Sequence, residues 1–400
     1  MKDIFVVSDN IFSPLGATTA ENFSRLEKGI PGVRRHDRPD LADQPFYASL
    51  FDPIDPSGPA SIPNFDNSRL YIQPRIFQNE HIPPGAVPPD GYTKFEQLLL
   101  ASITDTLQAG GIDPKDPRTI LILSTTKGNI SLLETGAGNP ARMALHHSAR
   151  LIADHFHFVH APIVISNACI SGILALITAM RLIRSCRYDT AVVAGADIIS
   201  RFVLSGFGSF QAISAGPCRP FDQSRDGINL GEGAGAVILS CNEKYRGNIL
   251  LRGGAVGNDA NHISGPSRTG EELCQVINKS LTDAGCRAED IDFISAHGTA
   301  TVYNDEMEAL AITRANLQSV PVNSLKGYYG HTLGAAGLIE SIVTLQSMRE
   351  DLVLPSLGFK ENGVTTPLNI CSSLLHIPLN SCLKTASGFG GCNAAVVMSK

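Results

Sequence analysis

What constrains this 400-residue chain most is one alternation, kept up along most of its length: short β-branched runs followed by longer apolar helical patterns. The runs fall at 4–7, 120–123, 163–166, 191–194 and 236–239, and again at 249–252, 293–295, 320–323 and 394–398. Helical patterns occupy 94–109, 170–185, 271–284, 305–315 and 334–348. Apolar runs bounded by Gly and Pro with helices between them predict an α/β architecture of mostly parallel, buried strands. The two halves share a style. Each closes a helix with Ala-Gly (Ala109-Gly110, Ala284-Gly285) and passes through an acidic turn into a strand. This predicts an internal duplication, with halves at 1–245 and 246–400. Residues 30–93 break the pattern; their Pro, Asp and Gly clusters predict an irregular surface insertion. The run "TAVVAGAD" at 190–197 carries no charge from Thr190 to Ala196 and reads as an unprotected edge strand, which invites pairing with a second copy in a homodimer.

Composition narrows the function. Hydrophobic residues make up 43% and charged residues 18%, enough to bury the core of a compact enzyme. A net charge of −6 without a long basic run gives no footing for nucleic acid, and no apolar run reaches the length of a membrane span. The N-terminal "MKDIFVVSDN" reads as a first strand, not a secretion signal. Nine scattered cysteines contain no CxxC pair, so neither a zinc site nor a secreted disulfide framework is suggested; reduced thiols in the cytoplasm are expected.

One cysteine stands apart. In "VISNACISGILALITAM" a strand read as buried stops and an apolar helix starts at Cys169. Unpaired N–H groups at a helix N-terminus favour a thiolate, so a lowered pKa and a nucleophilic role are expected there. An isolated buried cysteine is more often an inert small hydrophobe, so the rest of the chain has to decide. "FISAHGTATVYND" puts His297 after a strand, "VNSLKGYYGHTLGAAG" puts Lys326 and His331 five residues apart, and "ASGFGGCNAAVV" is a glycine-rich turn before the last strand. Each is weak alone. Together they offer one thiol, two imidazoles, one ammonium and backbone N–H groups. That inventory exceeds the needs of a thiol protease and suits thioester transfer followed by enolate stabilisation.

With these residues in place the chain resembles a β-ketoacyl-acyl carrier protein synthase of the Cys-His-His kind, in the thiolase-fold superfamily. "NACISG", "RPFDQSRDGINLGEGAGAVIL", "AHGTAT", "SLKGYYGHTLGAAGLIES" and "SGFGGCN" follow in family order, after "SPLG" near the N-terminus. Departures include Cys169-Ile170-Ser171-Gly172 where Cys-Thr-Ser-Gly is usual, and Lys127 where a small residue is usual.

The resemblance implies a thiolase-like α/β fold, two duplicated halves in a five-layer αβαβα arrangement. It implies Cys169 as the acylated nucleophile, with its own N–H and that of Phe389 as an oxyanion hole. His297 and His331 would hold the enolate and Lys326 would support them, oriented by a buried Glu340. Thr299 and Thr301 would bind the pantetheine arm, Gly390 would join them in binding substrate, glycines 388, 390 and 391 would let their loop approach closely, and Phe389 would gate the acyl tunnel. No cofactor or metal is implied, since acyl and malonyl groups arrive on the phosphopantetheine of an acyl carrier protein. A degradative thiolase needs a second cysteine before the Gly-Gly turn, and a Cys-His-Asn synthase lacks the second histidine; neither fits. A non-catalytic chain-length-factor subunit of a ketosynthase heterodimer is the alternative, disfavoured by the presence of Cys169. Fatty-acid extension and a dedicated polyene or polyketide pathway both stay open.

Overall fold

The computed structural model describes residues 2–51, 91–136 and 140–400. Ten strands form one continuous sheet: β1 Phe5–Phe12, β2 Thr119–Ser124, β3 Ile163–Ile165, β4 Thr190–Asp197, β5 Gly233–Ser240, β6 Leu250–Asn258, β7 Phe293–Ser295, β8 Val322–Asn323, β9 Ser381–Gly388 and β10 Cys392–Ser399. Their spatial order is β8-β7-β9-β10-β6-β1-β5-β4-β2-β3. Each half repeats one plan. In the first, β2 pairs parallel with β3 and β4, then β4, β5 and β1 run antiparallel in turn. In the second, β7 pairs parallel with β8 and β9, then β9, β10 and β6 run antiparallel. The half-sheets touch through an antiparallel contact of Phe5 with Leu250. The sheet is therefore mixed, where the sequence pattern predicted mostly parallel pairing. Antiparallel strands between covered faces are as apolar as parallel ones, so composition does not separate them.

The five longest helices among the described residues build most of the remaining layers: α1 Lys94–Gly110, α2 Ser171–Arg184, α3 Glu271–Ala284, α4 Val302–Arg314 and α5 Ala336–Glu350. In β4, Val192 and Ala194 face the α1 side with Leu99 and Ile103, while Ala191 and Val193 face α2 and α5. In β10, Ala395 and Val397 face α3 and α4, and Ala394 and Val396 face the same central pair. With both strand faces covered, the period-two signal disappears and the strands read as unbroken apolar runs. Between the half-sheets α2 and α5 meet at glycine. A Cβ on Gly172 would lie 2.4 Å from the Leu338 nitrogen, and one on Gly337 would lie 3.0 Å from the Ile173 nitrogen. This close approach brings the start of α2, and Cys169 with it, against the chain leading into α5.

Two expectations need correction. The run at 190–197 is not an edge: β4 lies between β2 and β5, its eight residues all buried, and the first half-sheet ends instead at the three half-buried residues of β3. An uncharged run signals burial on both faces as readily as an open edge. Nor is the described part of the 30–93 stretch irregular, because Arg34–His36, Phe46–Ser49 and Leu230–Gly231 make a small three-stranded sheet. Phe46, Ala48 and Leu50 are buried there. Residues 52–90 of the stretch lie outside the described residues.

Candidate active site

Cys169 sits on a tight elbow between β3 and α2. Ala168 takes φ +43°, a left-handed conformation that non-glycine residues seldom adopt. Ser171 holds the turn, accepting the Asn167 N–H at 2.8 Å and donating to the Ala168 carbonyl at 2.7 Å. The strand before it is the half-buried β3, not the buried one expected from sequence.

His297 follows β7. Its backbone N–H and that of Gly298 donate to Glu308, each at 2.7 Å, and the Thr299 N–H donates to Asp305 at 3.0 Å. One helix face, carrying Asp305 and Glu308 three residues apart, thus clamps the turn. Gly298 has φ +39°, and a Cβ there would lie 2.6 Å from Ser324, so the turn requires glycine. His331 donates its backbone N–H to the Asn229 carbonyl at 2.7 Å, and its Nδ1 accepts the Leu333 N–H at 3.2 Å.

The three side chains meet. A sulfur or ring nitrogen from each of Cys169, His297 and His331 lies within 4.8 Å of the other two, all three residues being buried. The imidazoles stand edge to face, 5.2 Å between centroids at 82°. Such spacing also suits metal ligation, but the Leu333 N–H occupies Nδ1 of His331 and places that ring's proton on Nε2. The buried Nε2, without a partner among the described residues, is therefore a donor and offers no lone pair to a metal. Nδ1 of His297 is likewise buried without a partner among the described residues.

Electrostatics keep the imidazoles neutral. Burial, then the Lys326 and Lys384 ammoniums, push both well below the ordinary histidine range, and His331 adds to the effect on His297. Lys326 is fully buried and paired with Glu340. Burial opposes ionisation of Glu340, but Lys326 and Lys384 overcome it and hold its carboxyl below the usual range. The expected lowering at Cys169 is overturned. Burial, seconded by the neighbouring Cys392, pushes the thiol up to about 12, against the opposing pull of Lys326 and the Phe389 N–H. One helix end does not offset full desolvation.

A cavity of about 470 Å³ opens over these groups, lined also by Thr299, Thr301 and Phe389. The two threonine hydroxyls bond each other at 2.8 Å. Glycine lets the 388–391 turn press in from the far side: a Cβ on Gly388 would lie 2.9 Å from the Cys169 nitrogen, and one on Gly391 2.3 Å from the Asp259 carbonyl. Gly390 donates to the Ile263 carbonyl at 2.7 Å. Phe389, 37% exposed, stands at the mouth of the cavity. It packs against the rings of Phe207 and Phe210, 5.8 and 5.2 Å away.

Sequence reasoning missed several participants. Asp305 and Glu308 show as an i,i+3 acidic pair just after the His297 turn. Asp197 is buried at the end of β4, where it accepts from Thr125 at 2.8 Å and from the Gly334 N–H at 2.7 Å. Cys392 directs its thiol at the Phe389 carbonyl at 3.5 Å. Lys384 had a plain signal, a lone charge amid "CLKTAS", but that charge hid strand β9.

Comparison with known proteins agrees with this geometry. Residues 1–244 match the family model "Beta-ketoacyl synthase, N-terminal domain" and residues 249–360 match "Beta-ketoacyl synthase, C-terminal domain". The chain belongs to the β-ketoacyl synthase family. It is 28% identical over 346 residues to a putative mitochondrial 3-oxoacyl-[acyl-carrier-protein] synthase of Schizosaccharomyces pombe, over 76% of this chain and 81% of the relative. It is 33% identical over 251 residues to 3-oxoacyl-[acyl-carrier-protein] synthase 2 of Rhizobium meliloti, over 58% of this chain and 59% of the relative. Among solved structures, the ishigamide ketosynthase/chain length factor superposes with a TM-score of 0.85 at 24% identity, covering 100% of this chain and 99% of that one. The fold is thus the thiolase-like fold of the ketosynthases.

Proposed function

We propose that the chain is a 3-oxoacyl-acyl carrier protein synthase, an acyltransferase that joins a cysteine-bound acyl group to malonyl carrier with loss of CO₂. The observation that carries the reading is the fixed tautomer of His331: its Nε2–H, buried and unpartnered among the described residues, stands in the Cys169 cluster where an oxyanion would need a donor.

In the first half-reaction Cys169 sulfur attacks the carrier thioester. Its N–H and that of Phe389 hold the tetrahedral oxyanion, the thiol proton leaves with the carrier sulfur, and an acyl-enzyme remains. Pushed up to about 12 by burial, the thiol meets the thioester in its protonated form. Next, the bond between the malonyl Cα and its carboxylate breaks, CO₂ departs, and the electron pair rests on the thioester oxygen. Neutral His297 and His331 donate to that oxygen, and the nearby Lys326 ammonium favours its negative charge. The Cα then attacks the acyl carbonyl, forming the carbon–carbon bond and releasing Cys169, which takes up a proton. Thr299 and Thr301 line the approach of the pantetheine arm, Gly390 keeps that approach open, and Phe389 gates it; Glu340 orients the lysine.

The partners proposed are an acyl carrier protein and a second copy of the chain, joined at the open edge of β3. Among the described residues no helix is long and apolar enough to cross a membrane. We place the enzyme in the cytoplasm, where its nine free thiols would stay reduced. The test is intact-mass analysis after incubation with acyl carrier: the adduct is expected on Cys169, and a stable adduct on Cys392 or Cys186 instead would defeat the reading.

A further inference from the structure

Lys384 is a charge that the mechanism above does not use, and its surroundings are unusual. Its Nζ is wholly buried and surrounded by acceptors: the carbonyls of Ser295, Ala296 and Thr385 at 3.2, 3.1 and 2.8 Å, and Glu340 Oε2 at 2.7 Å. Three carbonyl acceptors, an ion-paired carboxylate and no donor suit an ammonium with its three N–H groups; burial pulls its pKa below the usual lysine range, and Glu340 pulls the other way and favours the charge. Lys326 Nζ pairs with Oε1 of the same Glu340. One carboxylate therefore serves two buried ammoniums, and the trio is net positive. The next carboxylate, Glu308, is turned to the backbone N–H groups of His297 and Gly298 and to the Thr385 hydroxyl at 2.6 Å.

An extra buried cation is costly where packing alone is at stake, and perturbed charges of this kind gather at working sites. Two of the carbonyls that Lys384 holds, Ser295 and Ala296, belong to the residues immediately before His297.

Resting on the reaction proposed above, we propose that Lys384 is a positioning residue: through the Ala296 carbonyl and the shared Glu340 it fixes His297 and keeps both imidazoles neutral N–H donors toward the enolate. The charged and titratable groups facing those rings are Lys326 and Lys384 from one side, Cys169 from across the cavity, and each ring from the other, with Glu308 behind the His297 backbone. Removing one of two cations makes protonation of the rings easier, and a proton on His331 Nδ1 displaces the Leu333 N–H that orients the ring, so positioning is lost first at low pH.

The test compares wild type, Lys384→Met and the double variant Lys384→Met/Glu340→Gln by two readouts: CO₂ release from malonyl carrier against pH, and imidazole ¹⁵N NMR of the free protein. Lys384→Met lowers the trio's charge, so its acid limb should move up by about one pH unit, a loss of about tenfold on the acid side of that limb that vanishes toward neutral pH. Its histidine resonances should begin to titrate where wild type stays neutral. The double variant restores the net charge with Lys326 alone, and both readouts should move back toward wild type. A merely structural Lys384 would make the double variant worse and leave the pH profile's shape unchanged, and that result overturns the proposal. If Lys384→Met does not fold, Lys384→Gln, which keeps an N–H donor for the Ala296 carbonyl without the charge, decides by the same readouts: titrating histidines support the role, and wild-type-like titration overturns it. Wild type that releases no CO₂ removes the proposed reaction and this role together; wild type that does so beside an unchanged Lys384→Met removes this role alone.

Discussion

Replacing Gly388 by Ala probes the wall of the oxyanion hole without touching a reacting side chain. The backbone there is ordinary for an L-residue, since Gly388 is not among the positive-φ glycines, so the perturbation is steric. The added methyl would lie 2.9 Å from the Cys169 nitrogen, 2.9 Å from Cys392 Sγ and 3.1 Å from Ala168 Cβ, where ordinary contact begins at 3.4 Å. Neither backbone neighbour yields easily: Ala168 is already held at φ +43°. The 388–391 turn must therefore retreat by about 0.5 Å, enough to carry the Phe389 N–H out of the roughly 2.7–3.1 Å range in which a donor serves an oxyanion. Losing one such donor costs on the order of 10²–10³-fold, so acylation of Cys169 should slow by up to that factor. Overpacking should also cost about 1–3 kcal/mol of stability, read from the denaturation midpoint. Quenched-flow intact-mass analysis measures acylation, and CO₂ release from malonyl carrier is followed in parallel. CO₂ release depends on the histidines and should change far less. Acylation at the wild-type rate, or an equal loss of both activities, would refute this placement of the hole.

Phe389→Ala should slow acyl transfer and weaken discrimination among chain lengths, because it removes the ring that packs on Phe207 and Phe210; unaltered transfer rates across an acyl panel would place the gate elsewhere. His155, bonded to the Tyr92 hydroxyl at 3.0 Å, is held down to about 4 by burial and then His157. Its folded pKa lies below the unfolded value of about 6.5, so its contribution to stability is full above that pH and is lost as pH falls toward 4. Urea midpoints should fall over that window and fall less in His155→Leu; equal slopes would remove the assignment. Light scattering should give about twice the 42.6 kDa of one chain, and a charged substitution at Val164 in β3 should halve it; a wild-type monomer would count against edge pairing.

The fold was legible wherever burial and periodicity speak together. Val192 and Val193 announce a strand covered on both faces, yet nothing in them says whether the neighbour runs parallel or where the sheet ends, because pairing partners are far apart in sequence. β9 was hidden by Lys384 and Thr385, polar residues that a strand interior admits only because Glu340 and Glu308 wait for them across the site. Cys169, His297 and His331 were legible from their glycine-bounded turns. The direction of the Cys169 shift was not. A helix terminus is local and can be read from sequence, whereas the burial of Cys169 and the neighbouring Cys392 thiol are tertiary quantities. Glu308 shows in the sequence as half of an acidic pair, but its partners, a backbone turn eleven residues upstream and a hydroxyl on β9, do not.

The central claim, that two neutral histidines beside Cys169 stabilise an enolate, is tested most directly by CO₂ release from malonyl carrier in a Cys169→Gln background, where condensation is abolished. The glutamine amide can occupy the oxyanion hole in place of an acyl carbonyl, so decarboxylation should persist or rise. Adding His331→Ala should then cut it by on the order of 10²–10³-fold. Undiminished CO₂ release from the folded double variant would contradict the account.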